Sequence, residues 1–274
     1  MLDIHTHLYW DSYDADRNEV IARARAAGVK QLLVVGTTLE ESRQAIALSA
    51  QYPDVYASVG IHPNEFRGEV GEGYIPELAE LAKQSKIVAI GECGLDYSES
   101  HGEITDKQKQ AQREAFKKHI ALAAELRLPL IIHCRPKNAL TMDAYEDMLS
   151  IFQETNFVLP IILHCYMGDT EVTQAFLGLS NIHFSFTGNI TYPVKKQLVG
   201  TKDDLTETVK LIPRERIFIE TDCPFLSPQA KRGERNEPAY AIHTAEKVCE
   251  LLGITRPVLD AQLEANFVRV FGGS

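Results

Sequence analysis

An α/β fold of alternating strands and helices is predicted by this 274-residue sequence. Short apolar runs recur along the chain, longer helix-like stretches separate them, and proline or glycine follows most of those stretches. Strict alternation of this kind produces parallel strands joined by right-handed crossovers. Eight strand candidates and eight helix candidates therefore predict a closed (β/α)8 barrel, a TIM barrel, and a doubly wound open sheet is the alternative.

The eight predicted strands are short and mostly apolar. In chain order they are LDIHTH, KQLLVVG, DVYASVGIH, KIVAIGE, LPLIIHC, LPIILHC, IHFSF and RIFIETD. No G-x-G-x-x-G follows the first of them, which counts against a dinucleotide-binding version of the open sheet.

The predicted helices lie between and after these strands. They cover residues 14–27, 39–51, 75–84, 106–126, 141–154, 170–177, 203–211 and 238–252. Residues 257–271 predict an extra C-terminal helix packed outside the barrel. Because the sequence shows no linker, repeat or low-complexity tract, we expect residues 1–274 to form a single domain.

Composition excludes several classes of protein. Apolar residues make up 45%, which allows a large core and excludes global disorder. No apolar run reaches the roughly 18 residues that span a bilayer, and the four residues before His5 leave no room for a signal peptide, so we expect a cytoplasmic protein without a membrane partner. The net charge of −10 argues against a broad basic surface for nucleic acid. It still permits an enzyme whose metal ions attract one strand end.

Side chains that can bind metal stand at the ends of five predicted strands. The first strand ends in His5-Thr6-His7, and its two imidazoles would share one face because alternate strand residues point the same way. Alone, this pair could also be ordinary strand histidines with polar neighbours. The other four strands end in Glu92, His133, His164 and Asp222. Since the carboxyl ends of barrel strands meet at one rim, six ligands would converge there.

Six nitrogen and oxygen ligands exceed the roughly three that one catalytic zinc ion requires. Two divalent ions that share a carboxylate fit better, and zinc, magnesium and manganese are the candidates. The predicted arrangement has His5, His7 and Asp222 at one site, His133 and His164 at the other, and Glu92 as the bridge. Glu92 and Asp222 are the predicted catalytic residues, because Glu92 would place the ions and Asp222 would accept a proton from the attacking water.

The cysteines also bear on this arrangement. Their number, five, is odd and no C-x-x-C occurs, so we expect free thiols. Cys93, Cys134, Cys165 and Cys223 each follow a predicted ligand directly. If strand alternation persists there, each thiol faces away from the site; the alternative is that the cysteines are soft metal ligands.

Eight short motifs follow one another along the chain: DIHTH, SVGIHP, AIGECGLDY, IIHCR, LHCY, FTGNITY, IETDCPFL and RNEPAY. In this order they resemble the TatD family of metal-dependent deoxyribonucleases, from residue 3 to about residue 271. The resemblance implies a TIM barrel of the amidohydrolase superfamily, a divalent-metal site and phosphodiester hydrolysis, often as a 3′→5′ exonuclease. It implies the same six ligands. Residues 193–206 and the loop 98–105, which carries His101, depart from the family pattern. The resemblance therefore implies the metal site but does not define the shape of the substrate.

Three matching positions lie at the margin of the implied site. Arg135 could clamp a phosphate or form a surface salt bridge. His62 could contact a leaving oxygen or be a buried histidine bonded to backbone. Asp96 could orient a ligand histidine or cap a helix. Tyr9 and Trp10, just after the first strand, could stack on a nucleobase, although packing is the favoured interpretation.

Three classes of function remain. The leading hypothesis is a two-metal phosphodiesterase that acts on DNA, at single-stranded ends. The second hypothesis is an amidase, lactonase or deacylase on the same barrel. The amidohydrolase superfamily often has a carboxylated lysine on strand four, and the glutamate at that place in this sequence favours the phosphodiesterase. A non-catalytic binding barrel is the third, and six converging ligands speak against it. No oligomeric state is predicted.

Overall fold

The chain forms eight parallel strands that are hydrogen-bonded in sequence order, from the first to the eighth. The computed structural model describes residues 1–68, 73–100, 102–138 and 141–272, so His101 lies outside the described residues. The strands are β1 (Leu2–Thr6), β2 (Gln31–Val35), β3 (Val55–Val59), β4 (Ile87–Asp96), β5 (Leu130–Arg135), β6 (Ile161–Leu163), β7 (Ile182–Phe186) and β8 (Ile217–Ile219).

A helix follows each strand. The helices are α1 (Arg17–Ala26), α2 (Leu39–Ser49), α3 (Tyr74–Leu81), α4 (Asp106–Leu126), α5 (Asp143–Thr155), α6 (Thr170–Leu177), α7 (Leu205–Leu211), α8 (Ala241–Leu252) and α9 (Arg256–Phe271). The predicted order of elements is confirmed. The predicted helix at residue 14 instead begins at Arg17, because residues 11–13 form a separate 3-10 turn; another 3-10 turn, Pro238–Tyr240, precedes α8.

Backbone pairing between β1 and the segment after β8 nearly closes the sheet into a barrel. The His7 amide donates to the Cys223 carbonyl at 2.9 Å, and the Asp222 amide donates to the His5 carbonyl at 3.0 Å. The buried Asp3 carboxylate accepts hydrogen bonds from the Thr221 amide at 2.9 Å and the Thr221 hydroxyl at 2.5 Å. These contacts confirm the (β/α)8 barrel and exclude the open sheet.

Several predicted strands end earlier than expected. β1 ends at Thr6, one residue before His7, and β3 ends at Val59, three residues before His62. We expected the sixth strand to reach His164 and the eighth to reach Asp222, but β6 ends at Leu163 and β8 at Ile219. Cys165 and Asp222 have φ angles of +43° and +55°, which no strand residue adopts. The predicted strand alternation therefore does not extend through these two positions.

The strands are covered on both sides, and this explains their nearly continuous apolar sequences. All ten residues of β4 are buried, including the polar ones. The extra C-terminal helix α9 is also confirmed, and it packs against β8. Its buried Asn266 amide donates to the carbonyls of Arg214 at 3.0 Å and Ile217 at 2.8 Å. Within the described ranges, none of the helices has both the length and the apolar character that crossing a bilayer requires.

Replacing Asn266 with alanine should destabilise the fold, because it leaves two carbonyls at the start of β8 without their donor. We expect Asn266→Ala to lower the free energy of unfolding by about 1–3 kcal/mol in urea titrations. Gln51→Ala, at an exposed position, is the matched control and should change it by less than about 0.5 kcal/mol. Equal stability of the two variants would contradict this account of α9.

Candidate metal centre

The Glu92 carboxylate lies at the centre of a cluster of imidazoles at the carboxyl rim of the barrel. Its Oε1 atom is 2.9 Å from His133 Nδ1, 3.3 Å from His164 Nε2 and 3.5 Å from His62 Nε2. Its other oxygen, Oε2, is 3.3 Å from His5 Nε2. Glu92 is buried, with 3% of its surface exposed. Its two oxygens therefore face different imidazoles.

A second acidic group completes the cluster on the side of β1. Asp222 Oδ1 lies 3.3 Å from His7 Nε2 and 3.8 Å from His5 Nε2. His5, His7 and Asp222 form one group that could hold a metal ion, and His5, Glu92 and His164 form another. The structure thus brings all six predicted ligands together, with His5 shared by both groups.

Glycines allow β4 to place Glu92 this close to β5. Gly91 and Gly94 have φ angles of +143° and +138°, which residues other than glycine rarely adopt. A Cβ atom on Gly91 would lie 2.3 Å from the Ile131 carbonyl oxygen, and one on Gly94 would lie 2.0 Å from that of His133. The two glycines of the G-E-C-G sequence are therefore required because the backbone of β5 passes too close to β4 for a side chain at Gly91 or Gly94.

Tyr9 sets the orientation of His7. The Tyr9 hydroxyl donates to the Val35 carbonyl at 3.1 Å, so it accepts from His7 Nδ1 at 3.2 Å. In a neutral His7 imidazole this leaves Nε2, which is directed at Asp222, as the nitrogen without a proton. The predicted packing role of Tyr9 is thus correct, with an added hydrogen bond to a predicted ligand.

The three residues predicted at the margin lie in different environments. Asp96 is buried and accepts from His133 Nε2 at 3.2 Å and from Asn64 Nδ2 at 3.1 Å, which suits orientation of His133 and not direct substrate contact. His62 is partly exposed, and its Nδ1 accepts the Asn64 amide hydrogen at 3.2 Å. Asp96, His62 and His133 also form a third group that could hold a cation.

Arg135, the last residue of β5, has an exposed side chain. No salt bridge joins it to another residue in the described part of the chain, so the predicted surface salt bridge is not found there. A guanidinium at this rim is available to bind a phosphate, and that role stays a prediction.

The donor set fits a divalent cation. His5 is fully buried, and neither of its ring nitrogens has a hydrogen-bond partner among the described residues. Buried polar atoms normally have a partner, and a metal ion between His5, Glu92 and Asp222 would provide one for Nε2, the nitrogen that faces the two acids. Imidazole and carboxylate ligands together suit zinc, manganese or magnesium.

The electrostatics of the cluster agree with this fit. Burial acts to raise the pKa of Glu92, but His164, His62 and His5 lower that pKa well below its ordinary value. Burial lowers the pKa of His133, whereas hydrogen bonds to Asp96 and Glu92 raise it to about 9. Glu92 is therefore ionised at neutral pH, as a metal-bridging carboxylate must be.

Comparison with known proteins decides the family. Residues 2–272 match the family described as TatD related DNase. The chain belongs to the TatD-related DNase family. The expected hydrolase class is confirmed with it.

Two relatives align over almost the whole chain. The uncharacterized metal-dependent hydrolase YabD of Bacillus subtilis is 37% identical over 273 residues, which cover 99% of this chain and 98% of YabD. The 3′-5′ ssDNA/RNA exonuclease TatD of Klebsiella pneumoniae is 36% identical over 281 residues, with coverage of 99% and 98%. The solved structure of YjjV, a TatD homologue of Escherichia coli K12, matches with a TM-score of 0.86 at 23% identity and covers 99% of this chain and 98% of that one.

Sequence reasoning missed one buried acid of this TatD-family site. Glu220 is fully buried, and its Oε1 accepts hydrogen bonds from His164 Nδ1 at 3.0 Å and from the Cys165 amide at 2.6 Å. It thereby directs His164 Nε2 toward Glu92. The available signal was a second acid in the apolar run RIFIETD, two residues before Asp222.

The four cysteines that follow predicted ligands are not part of the candidate metal site. All five are free thiols, as predicted. Among the described residues, no group that could hold a metal contains a cysteine. Cys165 Sγ instead lies 3.7 Å from the Thr187 hydroxyl. The soft-ligand alternative has no support in this geometry.

Replacing Glu220 with glutamine should weaken metal binding without removing a ligand, because the carboxylate that holds His164 loses its charge. We expect Glu220→Gln to lower affinity for zinc or manganese by about 10- to 100-fold in chelator competition. Glu246→Gln, on the exposed surface of α8, is the matched control and should bind normally. Unchanged affinity in Glu220→Gln would show that His164 is not held by this contact.

Proposed function

We propose that this chain is a two-metal phosphodiesterase that removes nucleotides from single-stranded DNA ends in the 3′→5′ direction. The observation that carries the proposal is the position of Glu92, whose two oxygens face different imidazoles. The name of the Klebsiella relative supports the nuclease activity, and that of YabD supports the dependence on metal. In this proposal residues 1–274 act as one domain, located in the cytoplasm, where free thiols are stable.

Two sets of residues that share one carboxylate would hold the proposed ions. His5, His7 and Asp222 would hold the first ion, His133 and His164 would hold the second, and Glu92 would belong to both sets. Bound divalent ions supply Lewis-acid stabilisation of the phosphate charge and activate the attacking water. Tyr9, Glu220 and Asp96 fix the orientations of His7, His164 and His133 respectively.

The remaining steps belong to the side chains at the mouth of the site. Asp222 is the more exposed of the two acids among the predicted ligands, with 14% of its side chain accessible against 4% for Glu92. It can therefore accept a proton from water on the substrate side. Arg135 would bind a non-bridging phosphate oxygen through its guanidinium. His62, also partly exposed, would donate a hydrogen bond to the phosphate or to the leaving oxygen.

One assay tests the proposed function. The metal-loaded protein is incubated with single-stranded DNA labelled at its 5′ end, and the products are resolved by length. A ladder that shortens from the 3′ end supports the proposal. Matched RNA and p-nitrophenyl ester substrates accompany the DNA, and turnover of the ester alone would favour the deacylase alternative and contradict nuclease activity.

The bridging role of Glu92 predicts a loss of both ions from one substitution. We expect about two divalent ions per wild-type chain by elemental analysis, and Glu92→Gln should lose metal together with activity, because the neutral amide cannot balance two cations. His164→Ala should weaken chiefly the second ion. Full occupancy and a normal rate in Glu92→Gln, or a wild-type plateau below one ion, would contradict the bridge.

The proton-acceptor role of Asp222 predicts a separate effect on rate. Asp222→Asn keeps the size and one ligand oxygen but is a poor base, so we expect the rate to fall by about 10²–10⁴ with most metal retained. Metal content and far-UV circular dichroism are measured on the same sample. A near wild-type rate with both ions bound would exclude Asp222 as the proton acceptor.

A further inference from the structure

An aromatic corner lies beside the candidate metal centre. The Trp10 indole is 5.3 Å from the His7 imidazole, with 28° between the rings, and the Phe225 ring stands edge-on to Trp10 at 5.0 Å and 86°. Trp10 follows β1 and Phe225 follows β8, so both lie at the rim that carries the predicted ligands. The two rings form two walls next to His7 and Asp222.

Phe225 is exposed in a way that packing does not explain. The residue is 47% accessible, and every other phenylalanine, tyrosine and tryptophan in the described ranges is buried or partly buried. An exposed aromatic ring at the rim of a site offers a flat apolar face on which a planar ligand can stack. Trp10 is only partly buried, so part of its surface is also accessible beside Phe225.

The backbone on both sides of the corner is held by buried or partly buried side chains. The Asn236 amide donates to the carbonyls of Thr221 at 2.9 Å and Phe225 at 2.5 Å. The Arg17 guanidinium donates to the carbonyls of Leu8 at 2.6 Å and Trp10 at 3.3 Å. Rings on a fixed backbone lose little conformational freedom when a ligand binds, which is typical of a preorganised binding surface.

We propose that Trp10 and Phe225 form a stacking platform for the nucleobase next to the scissile phosphate of a single-stranded DNA end. The inference rests on the proposed function and names the part of the substrate that this side of the site recognises. Aromatic rings stack on any base, so the platform accepts every sequence. A net charge of −10 leaves little general attraction for DNA, and stacking supplies binding that does not depend on a basic surface. Trp10 thus has a binding role in addition to the packing role predicted from the sequence.

Trp10 is the single tryptophan of the chain, so its fluorescence reports directly on the platform. A decathymidylate with phosphorothioate linkages at its 3′ end, which resists cleavage, is titrated into metal-loaded protein. We expect quenching of Trp10 that is lost when the residues flanking the terminal linkage are abasic. Equal quenching by the abasic oligonucleotide would overturn the platform.

Kinetics with natural linkages give a second readout. Phe225→Ala should raise KM about 5- to 150-fold for an oligonucleotide with bases at its 3′ end, because that substrate loses stacking. The KM for an oligonucleotide with an abasic 3′ end should not change. Phe225→Tyr should keep the wild-type KM. Val268→Ala, which alters a 66% exposed apolar residue of α9, is the matched control and should change neither substrate. An equal loss on both substrates would indicate a structural role and overturn the inference.

The two readouts separate this inference from the proposed function. Cleavage of DNA without any preference for bases, and without an effect of Phe225→Ala, would overturn the platform and leave the nuclease intact. Base-dependent quenching without cleavage of any DNA would overturn the nuclease and support the platform. Absence of both would overturn both.

Discussion

The burial of one ionised carboxylate is the constraint around which this barrel rim is organised. Glu92 has almost no contact with solvent, and taking an isolated carboxylate out of water costs several kcal/mol. The imidazoles that contact its two oxygens offset this cost, but only if positive charge lies on them or between them. The protein can supply that charge by protonating His133 and His164, whose pKa values are raised, or by exchanging those protons for metal ions. Metal binding and proton release are therefore coupled at this site.

Three of the predicted histidine ligands are each oriented by a hydrogen bond at one ring nitrogen, while the other ring nitrogen faces Glu92 or Asp222. Tyr9 holds His7 and Glu220 holds His164, while Asp96 contacts the far side of the His133 ring. Such contacts select the tautomer and prevent ring rotation, so they determine metal affinity nearly as much as the ligands do. His5 is different, because it has no such partner and instead stacks on His164 with ring centroids 3.8 Å apart. Its orientation depends on packing, which makes it the predicted ligand most sensitive to changes in the side chains packed around it.

Much of this arrangement could be predicted from the sequence, because strand periodicity and the shared rim of a parallel barrel are simple geometric rules. His5, Glu92 and His133 lie on strands, where those rules apply directly. His164 and Asp222 also reach the cluster, but from segments beyond β6 and β8. The left-handed conformations of Cys165 and Asp222 could not be predicted, since neither residue is glycine and only tertiary contacts stabilise such φ angles. Glu220 was missed because a lone acid in an apolar run does not reveal which histidine it will meet across the barrel.

The closure of the barrel between β1 and the segment after β8 has a consequence for how the protein is made. Asp222 and the Thr221 partner of Asp3 leave the ribosome more than two hundred positions after His5 and His7. Contacts of such long separation form late in folding because the entropy of loop closure opposes them. A growing chain can build the inner strands in order, but it holds an incomplete ligand set until the last strand is released. The candidate metal site can therefore form only after Asp222 has been synthesised, and a chain that is interrupted before β8 lacks one of its predicted ligands.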